Sequence, residues 1–312
     1  MDWSTFLTPV FWTQLLASAV SLATPLILAA LGEVFAERSG IINLGIEGMM
    51  LFSGFMAFTA AYQSGNIWTG VLLAVMTGAL MSLLFAFMTI TLRSNQTVTG
   101  LSLNFLGQGL AMYLYRTVFK ITTETPRVEP FQNIAIPVLS DIPVLGDVLF
   151  NHSIFTYLMF FLVPVGLIII YRTPFGLRLN AVGESPQTAD TLGVSVARIR
   201  YGCVIIGGAL AGLAGAFFAL VELGAYSDSM VNGRGFIASA LVIFGRWDPL
   251  WTLGGGLLFG GIDALQNRLQ VLGSPIPSNF LQMTPYVVTI LALLIGRRRK
   301  APAALGIPYV RK

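Results

Sequence analysis

Nine apolar stretches, most of them about twenty residues long, constrain this chain more than any other feature. They cover residues 11–32, 41–63, 67–92, 97–119, 153–171, 201–224, 235–246, 250–271 and 279–296. At about 1.5 Å of rise per residue, a helix of roughly 20 apolar residues matches the ~30 Å hydrocarbon core of a bilayer. The chain is 55% hydrophobic and only 10% charged, where a soluble domain carries about 25% charge. Continuous runs point to helices; barrel strands would alternate in character. The expected fold is therefore all-α, a polytopic membrane helical bundle of about nine spans forming one membrane domain over residues 1–312. The seventh stretch is too short to cross alone. It is expected either to borrow from the preceding SDSMVNGRG or to begin as a broken helix inside the protein.

Charge placement sets an expected orientation. With residues 172–200 in the cytoplasm, thirteen Lys and Arg residues fall on that side: Arg38, Arg93, Arg172, Arg178, Arg198, Arg200, Arg246, Arg297 to Lys300, Arg311 and Lys312. Five fall outside: Arg116, Lys120, Arg127, Arg234 and Arg268. That asymmetry follows the positive-inside rule. It places the C-terminus in the cytoplasm and, with nine spans, the N-terminus outside. The net charge of +4 thus speaks of topology, and no nucleic-acid partner is expected. The opening MDWSTFLTPVF lacks a basic segment, so no cleaved signal peptide is expected. The proline-bearing segment 120–152 reads as an ordered external cap or as a plain connector.

Several chemistries are excluded. The lysines are Lys120, Lys300 and Lys312, and none follows a glycine, so there is no phosphate-binding loop of the G-x-x-x-x-G-K type. His152 is the single histidine, which rules out a histidine-based zinc cluster and a Ser-His-Asp triad. Cys203 is the single cysteine and cannot form an internal disulfide. The chain is not expected to be an enzyme or to bind a cofactor or metal. A conduit, a transporter or a scaffold remains.

Polar residues within the apolar stretches are the candidate pathway groups, because a charge in the bilayer core is costly and normally faces a cavity or a partner. Asn43 and Glu47 are spaced to share one helical face, among Gly40, Gly45 and Gly48. They read as lining a pathway, or Glu47 as a structural carboxylate tied to Arg38. Asn104 and Gln108 repeat the spacing, and Asp263 and Gln266 lie three apart. Amides offer donors and acceptors suited to a nucleobase edge or a sugar hydroxyl; the alternative is hydrogen bonding between helices. Asp263 also reads as a helix cap or an external gate. Arg234, flanked by Gly233 and Gly235, reads as a receptor contact, as part of a re-entrant entry, or as a turn beside headgroups. The pairs Gly208/Gly212 and Gly256/Gly260 have the spacing of close helix contacts. An ion-coupled transporter using Glu47 and Asp263 is one reading of these carboxylates.

The segment 172–200 reads RTPFGLRLNAVGESPQTADTLGVSVARIR. Ser185 before Pro186 is a helix start, and Gly193 is a natural stop. The short helix between them, roughly Pro186–Leu192 and including Thr188 and Ala189, cannot be stable alone. It must lie on this protein's own surface, in the headgroup interface, or in a partner.

The stretch GLRLNAVGESPQTADTLGV resembles the cytoplasmic coupling loop of permease subunits from binding-protein-dependent ABC importers, in the ribose, simple-sugar and nucleoside branch. ERSGIINLGIEGMML at 37–51, NQTVTGLSLNFLGQGL at 95–110 and GRGFIASALVIFGRWDPL at 233–250 resemble it too. The likeness is closest to the smaller permease of bacterial nucleoside importers; sugar and riboflavin importers have similar permeases. The resemblance implies a type II-like permease fold and an interrupted segment at 37–51 bordering the translocation pathway. It implies that Pro186–Leu192, with Arg178 and Glu184 beside it, fits a cleft on a partner ATPase subunit. That partner would carry the ATP and magnesium. A second, larger permease and an extracytoplasmic substrate-binding lipoprotein would complete the assembly, and a nucleoside would be the cargo.

Overall fold

The computed structural model describes residues 8–120, 126–272, 277–295 and 301–310. The basic run 297–300, Arg311, Lys312 and the first seven residues lie outside them. Each of the nine apolar stretches carries a helix. These are α1 (Pro9–Arg38), α2 (Ile46–Ser64), α3 (Ile67–Ala86, continued by a π-helical turn to Thr91), α4 (Gln96–Phe119), α6 (Ile154–Arg172), α9 (Val196–Phe217, with a π-helical end at Phe218–Glu222), α10 (Arg234–Phe244), α11 (Pro249–Val271) and α12 (Ser278–Ile295). Between them lie the short α5 (Leu145–Leu149), α7 (Pro174–Glu184) and α8 (Pro186–Thr191). Four helices are long and apolar enough to cross a membrane by length and composition: Pro9–Arg38, Ile67–Thr91, Ile154–Arg172 and Val196–Glu222. The seventh stretch does begin as a broken helix, because residues 223–233 are irregular and α10 starts only at Arg234.

α1 and α9 form the axis of the bundle. α1 is buried without interruption from Ala23 to Glu37, as expected of a helix that is apolar all round. α9 approaches three neighbours through small residues. A side chain on Gly207 would press on α1 at Gly32, and one on Gly212 would meet Ala74 and Gly78 of α3. One on Gly215 would lie 2.1 Å from the Met50 carbonyl of α2. Only glycine permits that last approach. The Gly256/Gly260 pair of α11 packs likewise on Ile27 and Ala23 of α1. Both glycine pairs of the sequence are therefore helix contacts.

The two ends of the bundle differ. At one end residues 126–152 form an ordered cap: Ile134–Ala135 (β1) pairs antiparallel with Asn151–His152 (β2). Phe131 packs edge-on against Trp68 and Phe155. His152 is buried and its Nε2 lies 2.8 Å from the Val148 carbonyl. Of the two readings of this segment, the structure supports the cap. At the other end the segment 172–200, the break between α1 and α2, the α10–α11 corner and residues 301–310 meet. The C-terminal residues form a strap: Ala304 N–H donates to the Gly183 carbonyl (2.9 Å) and Gly306 N–H to the Gly40 carbonyl (3.0 Å).

Candidate functional site

The break after α1 is held by buried side chains. Gly40 turns the chain with φ +92°, a conformation open to glycine and strained for other residues. The chain then runs without regular structure over 41–43 and turns at 44–45 before α2 begins at Ile46. Asn43 therefore stands ahead of the helix and does not share a helical face with Glu47, which corrects the spacing-based expectation. Four side chains satisfy the unpaired backbone here. Glu33 accepts from Asn43 N–H (2.8 Å) and Gln96 accepts from Ile42 N–H (2.8 Å). Asn43 Oδ1 accepts from Gly45 N–H (2.9 Å). Asn104 of α4 accepts from Gly48 N–H (2.8 Å) and donates to the Leu44 carbonyl (2.6 Å). Gly48 is essential to that contact, since a Cβ there would lie 2.5 Å from the Asn104 Cα.

The break before α10 is held differently. Glu47, in the first turn of α2, accepts from Gly233 N–H and Gly235 N–H, each at 2.7 Å. Its carboxylate caps the start of α10, where unpaired N–H groups and the helix dipole favour negative charge. Glu47 also lies at the N-terminus of its own helix, so two helix starts converge on one carboxylate. Arg38 is not its partner, contrary to one of the two readings of the sequence. α10 has 11 residues, about 16 Å of helix. Arg234 stands at its start. Its guanidinium lies over the Phe218 ring (5.2 Å) and 3.8 Å from Asp263 of α11. The tight Gly-Arg-Gly reading holds in one respect: a Cβ on Gly235 would lie 2.6 Å from the Glu47 backbone.

The sequence candidates thus divide. Asn43, Glu47 and Asn104 form one junction where α2, α4 and α10 meet; their oxygens are spent on backbone N–H groups, and the Asn43 amide nitrogen on Met49 Sδ (3.6 Å). Gln108 lies a turn beyond Asn104 and is exposed, and Asp263 and Gln266 on α11 are half-buried. Sequence reasoning missed Glu33, Gln96 and Trp247. A carboxylate pair four residues apart in an apolar helix, Glu33 and Glu37, is the signal that could have found part of this set.

The short helix of the 172–200 segment forms as expected, with two changes. Gly193 adopts φ +83° and ends it. The Ser185 side chain, however, makes no bond to the helix backbone; its hydroxyl pairs with Thr188 Oγ1 at 2.8 Å. A second helix, α7, precedes it. Thr173 accepts from Gly176 N–H (3.1 Å) ahead of Pro174, the same start signal as Ser185–Pro186. Pro186 and Ala189 are buried, the latter with Val182 and Val196. Arg178, Glu184, Thr188 and Gly193 are exposed, as is Leu192 at 79%. One face of α8 lies on the protein's own surface and the other is open.

Residues 15–295 match the profile of a family described as the permease component of the branched-chain amino acid transport system. The guanosine ABC transporter permease protein NupQ of Bacillus subtilis is 39% identical, over 93% of this chain and 94% of its own. The nucleoside ABC transporter permease protein NupC of Lactococcus lactis is 38% identical, over 95% and 96%. A Haloferax volcanii permease named for glucose is 36% identical, over 96% of both. B. subtilis holds a further relative, the guanosine ABC transporter permease protein NupP, 25% identical over 88% of this chain and 78% of its own. Among solved structures, an inward-facing metal-chelate type ABC transporter superposes with a TM-score of 0.51 at 20% identity, covering 93% of this chain and 90% of that one.

Proposed function

This chain belongs to the branched-chain-type permease family of ABC transporters, and from that membership we propose that it is the smaller permease of an ATP-driven nucleoside importer. It is a multi-pass membrane protein and a transporter component, and it acts with an ATPase and a binding protein. The nucleoside assignment rests on two full-length relatives at 38–39% identity whose names specify guanosine and nucleosides. The second permease is a larger relative of this chain, as NupP is longer than the part of it that this chain covers. Nine spans, with residues 172–200 and the C-terminus in the cytoplasm and the N-terminus outside, complete the reading.

In this reading the open face of α8, with Thr188, Leu192, Arg178 and Glu184, docks on the ATPase, which binds ATP and magnesium. The buried face, Pro186 and Ala189, anchors α8 to the permease. ATP-driven closure biases the membrane domain between two packings of similar energy. The α2–α4–α10 junction borders the pathway. Gln108, Asp263 and Gln266 offer weak polar contacts there, while Asn43, Glu47 and Asn104 fix the broken backbone behind them. Arg234 belongs to this inner wall. Broken helices bordering a mid-membrane site are a recurrent transporter arrangement. Family membership sets the ion-coupled alternative aside, and both of its carboxylates have partners: Glu47 caps α10 and Asp263 faces Arg234.

Reconstitution tests the assignment. This chain, the larger permease, the ATPase and the receptor in proteoliposomes should accumulate radiolabelled guanosine only with ATP. Uptake of glucose in preference to guanosine would favour the sugar reading carried by the 36% relative. Guanosine uptake that persists without the ATPase would refute the importer reading.

A further inference from the structure

At the α8 end of the bundle, one arginine joins elements that the proposed function otherwise leaves unconnected. Arg38 is the last residue of α1. Its Nε donates to the Trp247 carbonyl (2.5 Å), its Nη1 to Asn180 Oδ1 of α7 (3.0 Å) and its Nη2 to the Tyr171 hydroxyl of α6 (2.6 Å). The guanidinium also lies 4.9 Å from the centre of the Tyr171 ring. Tyr171 passes its own hydrogen on to Asp248 Oδ2 (2.6 Å). Asp248 Oδ1 in turn accepts from Leu250 N–H (3.0 Å) at the start of α11. Trp247 is fixed a second time, its Nε1 donating to Glu37 Oε2 (2.5 Å). The Arg38 carbonyl closes the other side, since a Cβ on Gly183 of α7 would lie 1.9 Å from it.

α10 is consequently gripped at both ends. Its start is capped by Glu47 at the junction, and its far end runs through Gly245 and Arg246 into Trp247. α7 is the helix on which α8 follows directly. We propose that Arg38 is the positioning residue through which displacement of α7 and α8 reaches α10, and so the pathway junction. The inference rests on the reading of α8 as the ATPase contact. Three directed donors on one planar group make the link, and a lysine, with a single point charge, cannot reproduce it. A rigid short helix held at both ends carries a shift at its corner to its other end without bending, as packed elements with two arrangements do.

The test uses the complete reconstituted complex and reads two quantities: guanosine uptake and ATP hydrolysis. If the wild-type complex carries glucose instead, glucose is the probe. Arg38→Lys should leave assembly and ATP hydrolysis close to wild type while uptake per ATP falls by about tenfold, within the usual range for coupling between sites. Asn180→Ala, on the α7 surface, should lower the same ratio less. The double variant should be no worse than Arg38→Lys alone, because both break one link. An unchanged ratio in both single variants overturns the proposal. So does a loss of uptake matched by an equal loss of assembled complex, which is what a purely structural arginine would give. Wild-type uptake that continues without ATP hydrolysis overturns the ATPase reading, and this inference with it; that result is visible before any substitution is made.

Discussion

The two breaks in the helical ladder meet at the same junction but are held by different means. The break at 39–45 is pinned by Glu33, Asn43, Gln96 and Asn104, drawn from α1, α4 and the segment itself. The break at 223–233 is tied to α2 chiefly by one carboxylate, Glu47. Buried backbone donors and acceptors must be satisfied wherever a helix is interrupted in an apolar core. The first break satisfies them redundantly and the second does not. The first is thereby the more firmly tied of the two, and the start of α10 is held to α2 by fewer side chains.

Substitutions sharpen that contrast. Glu47→Ala should have the largest effect, because it strands two buried N–H groups at about 1–3 kcal/mol each. It should abolish uptake and lower the thermal midpoint of the detergent-solubilised chain. Glu47→Gln, which retains one acceptor, should recover part of that loss. Asn104→Ala comes next, leaving the Gly48 N–H and the Leu44 carbonyl unpaired at a cost of about 2 kcal/mol; three other side chains still hold that break, so uptake should fall without vanishing. Asn43→Ala removes one capping bond, worth about 1 kcal/mol, and should lower the thermal midpoint slightly with uptake nearly intact. If Asn43→Ala proved as damaging as Glu47→Ala, the redundancy argument would fail.

The smallest effect concerns pH and the cap at 126–152. Burial holds the His152 imidazole below its usual pKa, while its bond to the Val148 carbonyl works the other way. A base with a depressed pKa in the fold contributes stability that is present above about pH 6.5 and is lost as pH falls through the folded value. Amide protection across 126–152, measured relative to the intrinsic exchange rate at each pH, should therefore fall modestly between pH 7.5 and 5, with protection of the junction at 39–48 unaffected. His152→Gln should remove the pH dependence.

Apolar length made the helices legible, and Gly193 and the Ser185–Pro186 pair marked α8. The same signal at Thr173–Pro174 marked α7 equally well but stood in what read as a loop. Asn43 stands off the face of Glu47 because helical spacing carries information only if the helix has begun, and no residue from Gly40 to Gly45 fixes in the sequence where it starts. The Glu47 contact with Gly233 and Gly235 joins residues 186 and 188 positions apart, and no local pattern encodes such a pairing. A buried acid in one segment and a Gly-Arg-Gly in another were both visible; their complementarity was not. The strap at 301–310 gave no signal, since it is held through its own backbone N–H and carbonyl groups and not through its side-chain pattern.

That strap bears on how the chain is built. Residues 304–307 leave the ribosome after every helix described here, yet they close over Ser39 and Gly40, which emerged with the first. Arg200 bridges the two, its Nε donating to the Ser39 carbonyl (3.0 Å) and its Nη1 to the Ile307 carbonyl (3.2 Å). The corner that receives α7 is thus finished only when translation has passed the last helix. A nascent or truncated chain would be inserted in the membrane but unlatched, and so distinguishable from a mature subunit before any ATPase is recruited.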